Sequence, residues 1–145
     1  KALKRPNRFE ACDLSLDLIS QGHDHLIKYT ESSIYELPYL NNSFELVVCC
    51  EVLEHLEEPL RGLSELARVA EKAVLLSTPW EPIWRMMNFV RGKYISEYGN
   101  TPGHIQHFNR QQLIELSQVY LRIIKKRTPL PWTILLGLPI KNRSK

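Results

Sequence analysis

Glu51, Glu54 and His55 fall within the string EVLEHL, three and four residues apart from the first acid. On a helix that spacing sets two carboxylates and an imidazole on one face. Such a set can move protons or hold a divalent ion. With no further ligand identified, the metal-free reading is preferred: Glu54 and His55 then cap the helix or line a pocket, and no metal is expected. His104 and His107 lie in PGHIQHF. An imidazole titrates near neutral pH, so either can act as a general base; the plainer alternative is a loop histidine bonded to backbone. Asp13 closes the run FEACD. A carboxylate at a strand end can accept hydrogen bonds from both hydroxyls of a ribose, or simply cap a following helix. Trp80, with Trp84, Met86, Met87 and Phe89, supplies apolar surface for a substrate pocket or for ordinary lid packing.

These residues need elements to hold them. Phe9 to Asp13 reads as a strand, and Ser15 as the N-cap of a helix running toward His25 and weakened by Gly22. Leu26 to Thr30 reads as a second strand. SSIYELPYLNNS is a loop, marked by Pro38 and the Asn41-Asn42 pair. The continuous apolar run Phe44 to Cys50 is expected to be a strand buried on both faces. Pro59 suits the first turn of a helix on which Leu60, Leu63, Ala67 and Ala70 recur. Ala73 to Thr78 reads as a buried strand. The segment from Trp80 to Gly103 is proline-interrupted and expected to be irregular, with 80–108 as a lid or substrate-side insertion. Asn109 should cap a helix from Arg110 to Val119. Leu121 to Lys126 and Thr133 to Leu136 are the last candidate strands. Alternation of this kind points to a mainly parallel sheet covered by helices.

Composition sets bounds on partners. A chain of 145 residues, 43% hydrophobic and 24% charged, fits one globular domain. The net charge of +3 is concentrated at the two ends and around Lys125, Lys126 and Arg127. No basic stripe alternates with aromatics, so a nucleic-acid partner is not favoured. Cys12, Cys49 and Cys50 all fall in strand-like runs. Adjacent Cys49 and Cys50 point to opposite faces of a strand and suit neither a mutual disulfide nor a metal motif. A reduced, cytoplasmic chain is expected. His23, His25 and His55 show no zinc-ligand spacing with the cysteines. The apolar run Trp132 to Ile140 is too short to span a bilayer.

Taken in order, EACDLS, ELPY, NNSFELVVCC, EVLEHL, STPW and GHIQHFNRQQL resemble the class I S-adenosylmethionine-dependent methyltransferases, of the methyltransferase type 11/23-like group. The resemblance runs from about Phe9 to Leu116. It implies an α/β fold, a Rossmann-like methyltransferase sheet with helices on both faces, and S-adenosylmethionine as cofactor. It implies that Asp13 holds the ribose hydroxyls and that Leu14 packs on the adenine face. Ser33, in place of the usual acid, and the backbone N–H of Ile34 would meet the adenine edge. Cys50 would lie near the methionine portion. Glu51, Glu54, His55, Trp80, His104 and His107 become substrate-pocket candidates. The family's first strand and Gly-x-Gly-x-Gly loop precede its ribose-binding strand. KALKRPNR resembles only the tail of the intervening helix. Residues 1–145 are therefore expected to be a single partial domain, incomplete at the N-terminus, that makes no stable, cofactor-competent monomer alone. The expected function is methyl transfer to a small-molecule acceptor. The alternatives are a non-catalytic methyltransferase-like binding module and an RNA 2′-O-methyltransferase.

Overall fold

A computed structural model describes residues 9–15, 26–94, 98 and 101–141. The helix expected between Ser15 and His25 lies outside the described residues. The chain forms two compact units, residues 1–38 and residues 39–145.

In the first unit β1 (Phe9–Asp13) pairs with β2 (Ile27–Glu31). The pairing is parallel and in step from Phe9↔Ile27 to Asp13↔Glu31. Their carboxyl ends therefore lie side by side. The ladder continues one residue past the strands, where Ser32 N donates to the Asp13 carbonyl at 2.9 Å.

The second unit contains β3 (Phe44–Cys50), one turn of 3-10 helix (Leu53–His55), α1 (Pro59–Val69) and β4 (Ala70–Pro79). It continues with α2 (Glu81–Val90), α3 (Arg110–Gln118), β5 (Leu121–Arg127) and β6 (Trp132–Pro139). The sheet order is β3-β4-β6-β5. β3 and β4 run parallel, whereas β6 runs antiparallel to both β4 and β5. The sheet is thus mixed. The chain order explains this: β5 and β6 follow one another through a short turn, and a short connection can join only antiparallel strands.

The helices form where local chemistry favours them. Pro59 occupies the first turn of α1, where its missing N–H costs nothing. Gly62, Leu63, Leu66 and Val69 make its buried face, at the spacing an amphipathic helix requires. Asn109 accepts from the backbone N–H groups of Gln111 and Gln112, and Gln112 Oε1 accepts from Asn109 N in return. This reciprocal cap opens α3. α1 packs on β3 and β4, α3 packs on β5 and β6, and the two helices touch each other. The core they enclose includes Leu63, Leu66, Val74, Leu76, Leu113, Leu121 and Leu135. At Gly137 a Cβ would stand 2.8 Å from Leu121 Cβ, so β5 and β6 can approach closely only with glycine there.

Three expectations need correction. β3 is not buried on both faces: Leu46 is 52% and Val48 56% exposed, while Cys49 is buried. Neighbouring side chains point to opposite faces of a strand, and here one face only is covered. The segment after Trp80 is not irregular throughout, because Glu81–Val90 is a helix. Its proline lies in the first turn and starts the helix rather than breaking it. Nor do Glu51, Glu54 and His55 share one helical face. The helix in EVLEHL is a single 3-10 turn, and Glu51 precedes it with a left-handed φ of 56°. Among the described residues no helix is long and apolar enough to cross a membrane.

Candidate functional site

Four of the five cofactor-binding candidates come from the two strand ends of the first unit. Asp13 is the last residue of β1, and its Oδ1 accepts from Ser15 N at 3.1 Å. Leu14 is 72% exposed. Ser33 and Ile34 follow β2 at the start of a turn. Ser33 Oγ accepts from Tyr35 N at 3.2 Å, and its carbonyl accepts from Glu36 N at 3.1 Å. The fifth candidate, Cys50, is the exposed last residue of β3.

The substrate-pocket candidates divide into two groups. Glu51 is fixed against the sheet. Its N–H donates to the Ser77 carbonyl at 3.0 Å. Its Oε1 accepts from Ser77 Oγ at 2.8 Å and its Oε2 from Trp132 Nε1 at 2.9 Å. These bonds hold its left-handed backbone, a conformation that costs free energy for a non-glycine residue. Trp80 stacks under the guanidinium of Arg110, with 3.7 Å from Cζ to the ring centroid.

Glu54, His55 and His104 come together, and Glu81 reaches both His104 and His107. The loop 101–109 is fastened to the 3-10 turn: the N–H groups of Ile105 and Gln106 both donate to the Glu54 carbonyl, at 3.0 and 2.9 Å. Gln106 Nε2 donates to the Leu56 carbonyl at 3.1 Å. Thr101 Oγ1 accepts from Trp84 Nε1 and Asn88 Nδ2 of α2 at 2.8 and 3.3 Å. Gly103 has φ of 87°, and its carbonyl accepts from His55 Nδ1 at 2.8 Å. A Cβ at Gly103 would lie 3.4 Å from that same nitrogen. The His55 and His104 rings meet edge to face at 4.7 Å.

His104 is buried, and its Nδ1 donates to Glu81 Oε1 at 2.7 Å. His107 is more exposed, with Nδ1 3.7 Å from Glu81 Oε2. Glu54 is only 1% exposed, and neither of its carboxyl oxygens has a hydrogen-bond partner among the described residues. Burial above all, with the charges of Glu51 and Glu81 adding to it, pushes its pKa up to about 8. Burial also raises the Cys49 thiol to about 12, helped by Cys50 and Glu54. One ligand-capable atom from each of Glu54, His55 and His104 lies within 4.8 Å of the others.

The EVLEHL and PGHIQHF strings were both legible as chemistry, but their meeting was not, since 48 residues separate His55 from Gly103. Glu81 was missed altogether. It sits next to Pro82 in a segment that reads as loop, and only the fold turns it toward two histidines.

A family model described as a methyltransferase domain matches residues 2–77, just over half of the chain. No curated protein sequence matches. Among solved structures, the chain is similar to a putative methyltransferase from Haloferax volcanii solved in complex with the Trm112 methyltransferase activator. That match has a TM-score of 0.71 and 11% identity, over 95% of this chain and 74% of that one. It is also similar to the PH0226 protein of Pyrococcus horikoshii OT3, with a TM-score of 0.70 and 11% identity over 92% and 72% of the two chains. A third is magnesium protoporphyrin IX methyltransferase of Synechocystis PCC 6803 with bound SAH, with a TM-score of 0.62 and 15% identity over 90% and 64%. Identities this low show the fold, a Rossmann-like α/β arrangement; the family match carries the assignment. The chain belongs to the methyltransferase-domain family, within the class I S-adenosylmethionine-dependent methyltransferases.

Proposed function

We propose that this protein transfers the methyl group of S-adenosylmethionine to a small-molecule acceptor. The observation that carries the reading is the in-step parallel pairing of β1 with β2, which sets Asp13 and Leu14 beside the segment Ser32 to Ile34. Ligands of open α/β sheets gather at such carboxyl ends.

The residues present fit this cofactor. One lone pair of Asp13 is taken by Ser15 N; the rest of the carboxylate would accept from the two ribose hydroxyls in a charge-assisted contact. Leu14, apolar and exposed, would cover the adenine face. Ser33 Oγ accepts from Tyr35 N and so retains its proton for a ring nitrogen, while Ile34 would offer its backbone N–H. Cys50 would border the methionine portion. The bound cofactor brings a methyl group already activated on a sulfonium, so the chain must chiefly position the acceptor and take up its proton. His107, exposed and with its Nδ1 3.7 Å from Glu81 Oε2, is the residue we assign to that proton. We assign residues 80–108, which carry Glu81, His104 and His107, to binding the acceptor.

A small acceptor is supported by the modest charge of +3 and by the absence of a basic, aromatic-lined stripe in the sequence. Three free cysteines fit a reduced, cytoplasmic setting. The test is to incubate the full-length protein with methyl-labelled S-adenosylmethionine and, separately, with small-molecule, RNA and protein fractions of cells. Label transferred to the small-molecule fraction is the expected result. Label confined to RNA or protein would overturn the acceptor class.

A further inference from the structure

We propose that Glu54, His55 and His104 form a binding site for a divalent transition-metal cation, with Glu81 holding one of the ligands in place. The proposal stands on geometry and is independent of the methyl-transfer reading.

Both imidazoles are held through Nδ1. His55 Nδ1 donates to the Gly103 carbonyl, and His104 Nδ1 to the Glu81 carboxylate. With the proton on Nδ1, the lone pair of each ring lies on Nε2. A backbone carbonyl or a carboxylate behind the other nitrogen is the usual support of a metal-ligating histidine, since it sets both tautomer and ring orientation.

Glu54 stands with these two rings. Its side chain is almost wholly buried, yet both carboxyl oxygens lack hydrogen-bond partners among the described residues. Buried polar groups nearly always find a partner, because an unmet one costs free energy. Its backbone carbonyl, by contrast, accepts from both Ile105 N and Gln106 N. The fold has therefore spent its contacts on fixing where this carboxyl stands, and the carboxyl itself stands beside two imidazoles.

Ligand atoms from the three residues lie within 4.8 Å of one another. With bonds of about 2.1 Å, neighbouring ligands of a tetrahedral ion stand about 3.4 Å apart, so the set must close by up to about 1.4 Å when an ion binds. The exposed ring of His55 gives the ion a way in. Two imidazole nitrogens and one carboxylate oxygen suit zinc, manganese or iron better than magnesium or calcium, which take oxygen ligands. Three protein ligands also leave positions open for water or a substrate oxygen. EVLEHL alone offers no further ligand; the fold supplies His104.

The test is calorimetric titration of the metal-stripped, full-length protein with zinc chloride, and separately with magnesium chloride, alongside thermal melting. Saturable zinc binding at about one ion per chain, with a raised melting temperature, is expected. Glu54→Gln and His55→Asn should each weaken it by about tenfold or more, and magnesium should bind far more weakly. Should Glu54→Gln fail to fold, His55→Asn, at an exposed position, still decides. No saturable zinc binding to the folded protein would overturn the proposal, as would binding that survives both ligand substitutions unchanged.

Discussion

Glu54 keeps its carboxyl in a dry site, and the consequence is a defined dependence of stability on pH. Its folded pKa, about 8, lies above the ordinary value of 4.5. The folded state therefore holds a proton that the unfolded chain releases. The stabilising contribution is complete below the unfolded pKa and is lost as pH rises through that interval to the folded pKa. Urea denaturation with a chelator present should show stability falling between about pH 5 and pH 8, and Glu54→Gln should flatten the fall. An equal slope in the variant would show that another group is responsible. The two adjacent cysteines give a second residue-scale prediction. Cys49 is buried with its thiol raised to about 12, whereas Cys50 is exposed. Iodoacetamide should label Cys50 in the folded protein and reach Cys49 only after unfolding; equal labelling of both in the folded state would contradict the placement of β3. At Asp13, substitution by Ala in the full-length protein should weaken S-adenosylmethionine binding by about 1.5–3 kcal/mol, the worth of charge-assisted hydrogen bonds. Unchanged affinity with folding intact would remove Asp13 from the ribose. Asp13, His104 and His107 stand out as candidates in the sequence because each side chain type carries a recognisable chemistry. Glu81 does not, since a lone acid beside a proline looks like solvated surface until a fold encloses it.

At the scale of elements, the loop that carries His104 depends on Gly103 and on α3. Gly103 adopts a left-handed φ of 87° and backs onto His55. Gly103→Ala should cost on the order of 1–3 kcal/mol through backbone strain, with further crowding of the His55 ring. Chemical denaturation measures that loss; an Ala variant as stable as the parent would contradict the assigned backbone. Asn109→Ala should cost about 1 kcal/mol by removing the reciprocal cap of α3, read in the same way. That helix was legible because its cap is a local signal, with Asn at the right distance from Gln112. α2 was not, because prolines at both ends of its segment read as interruptions when one of them starts the helix. β3 was legible as a strand but not in its burial, since an apolar run records composition and not which neighbours cover it. The EVLEHL helix failed for a related reason: spacing describes a face only if the backbone is helical, and Glu51 is left-handed instead.

At the scale of the whole molecule, the alternation of strands and helices gave the α/β class, and the ordered motifs matched a family that the chain does belong to. The antiparallel addition of β6 between β4 and β5 was not legible, because strand order depends on contacts between segments far apart in sequence. The two strand ends of the first unit are the core of the functional reading, and they can be tested without knowing the acceptor. The measurement is calorimetric titration of the full-length protein with S-adenosylmethionine and with S-adenosylhomocysteine, repeated on Asp13→Ala. Saturable binding of both ligands at about one per chain, weakened in the variant by about tenfold or more, is the predicted result. Folded protein that binds neither ligand would contradict the account.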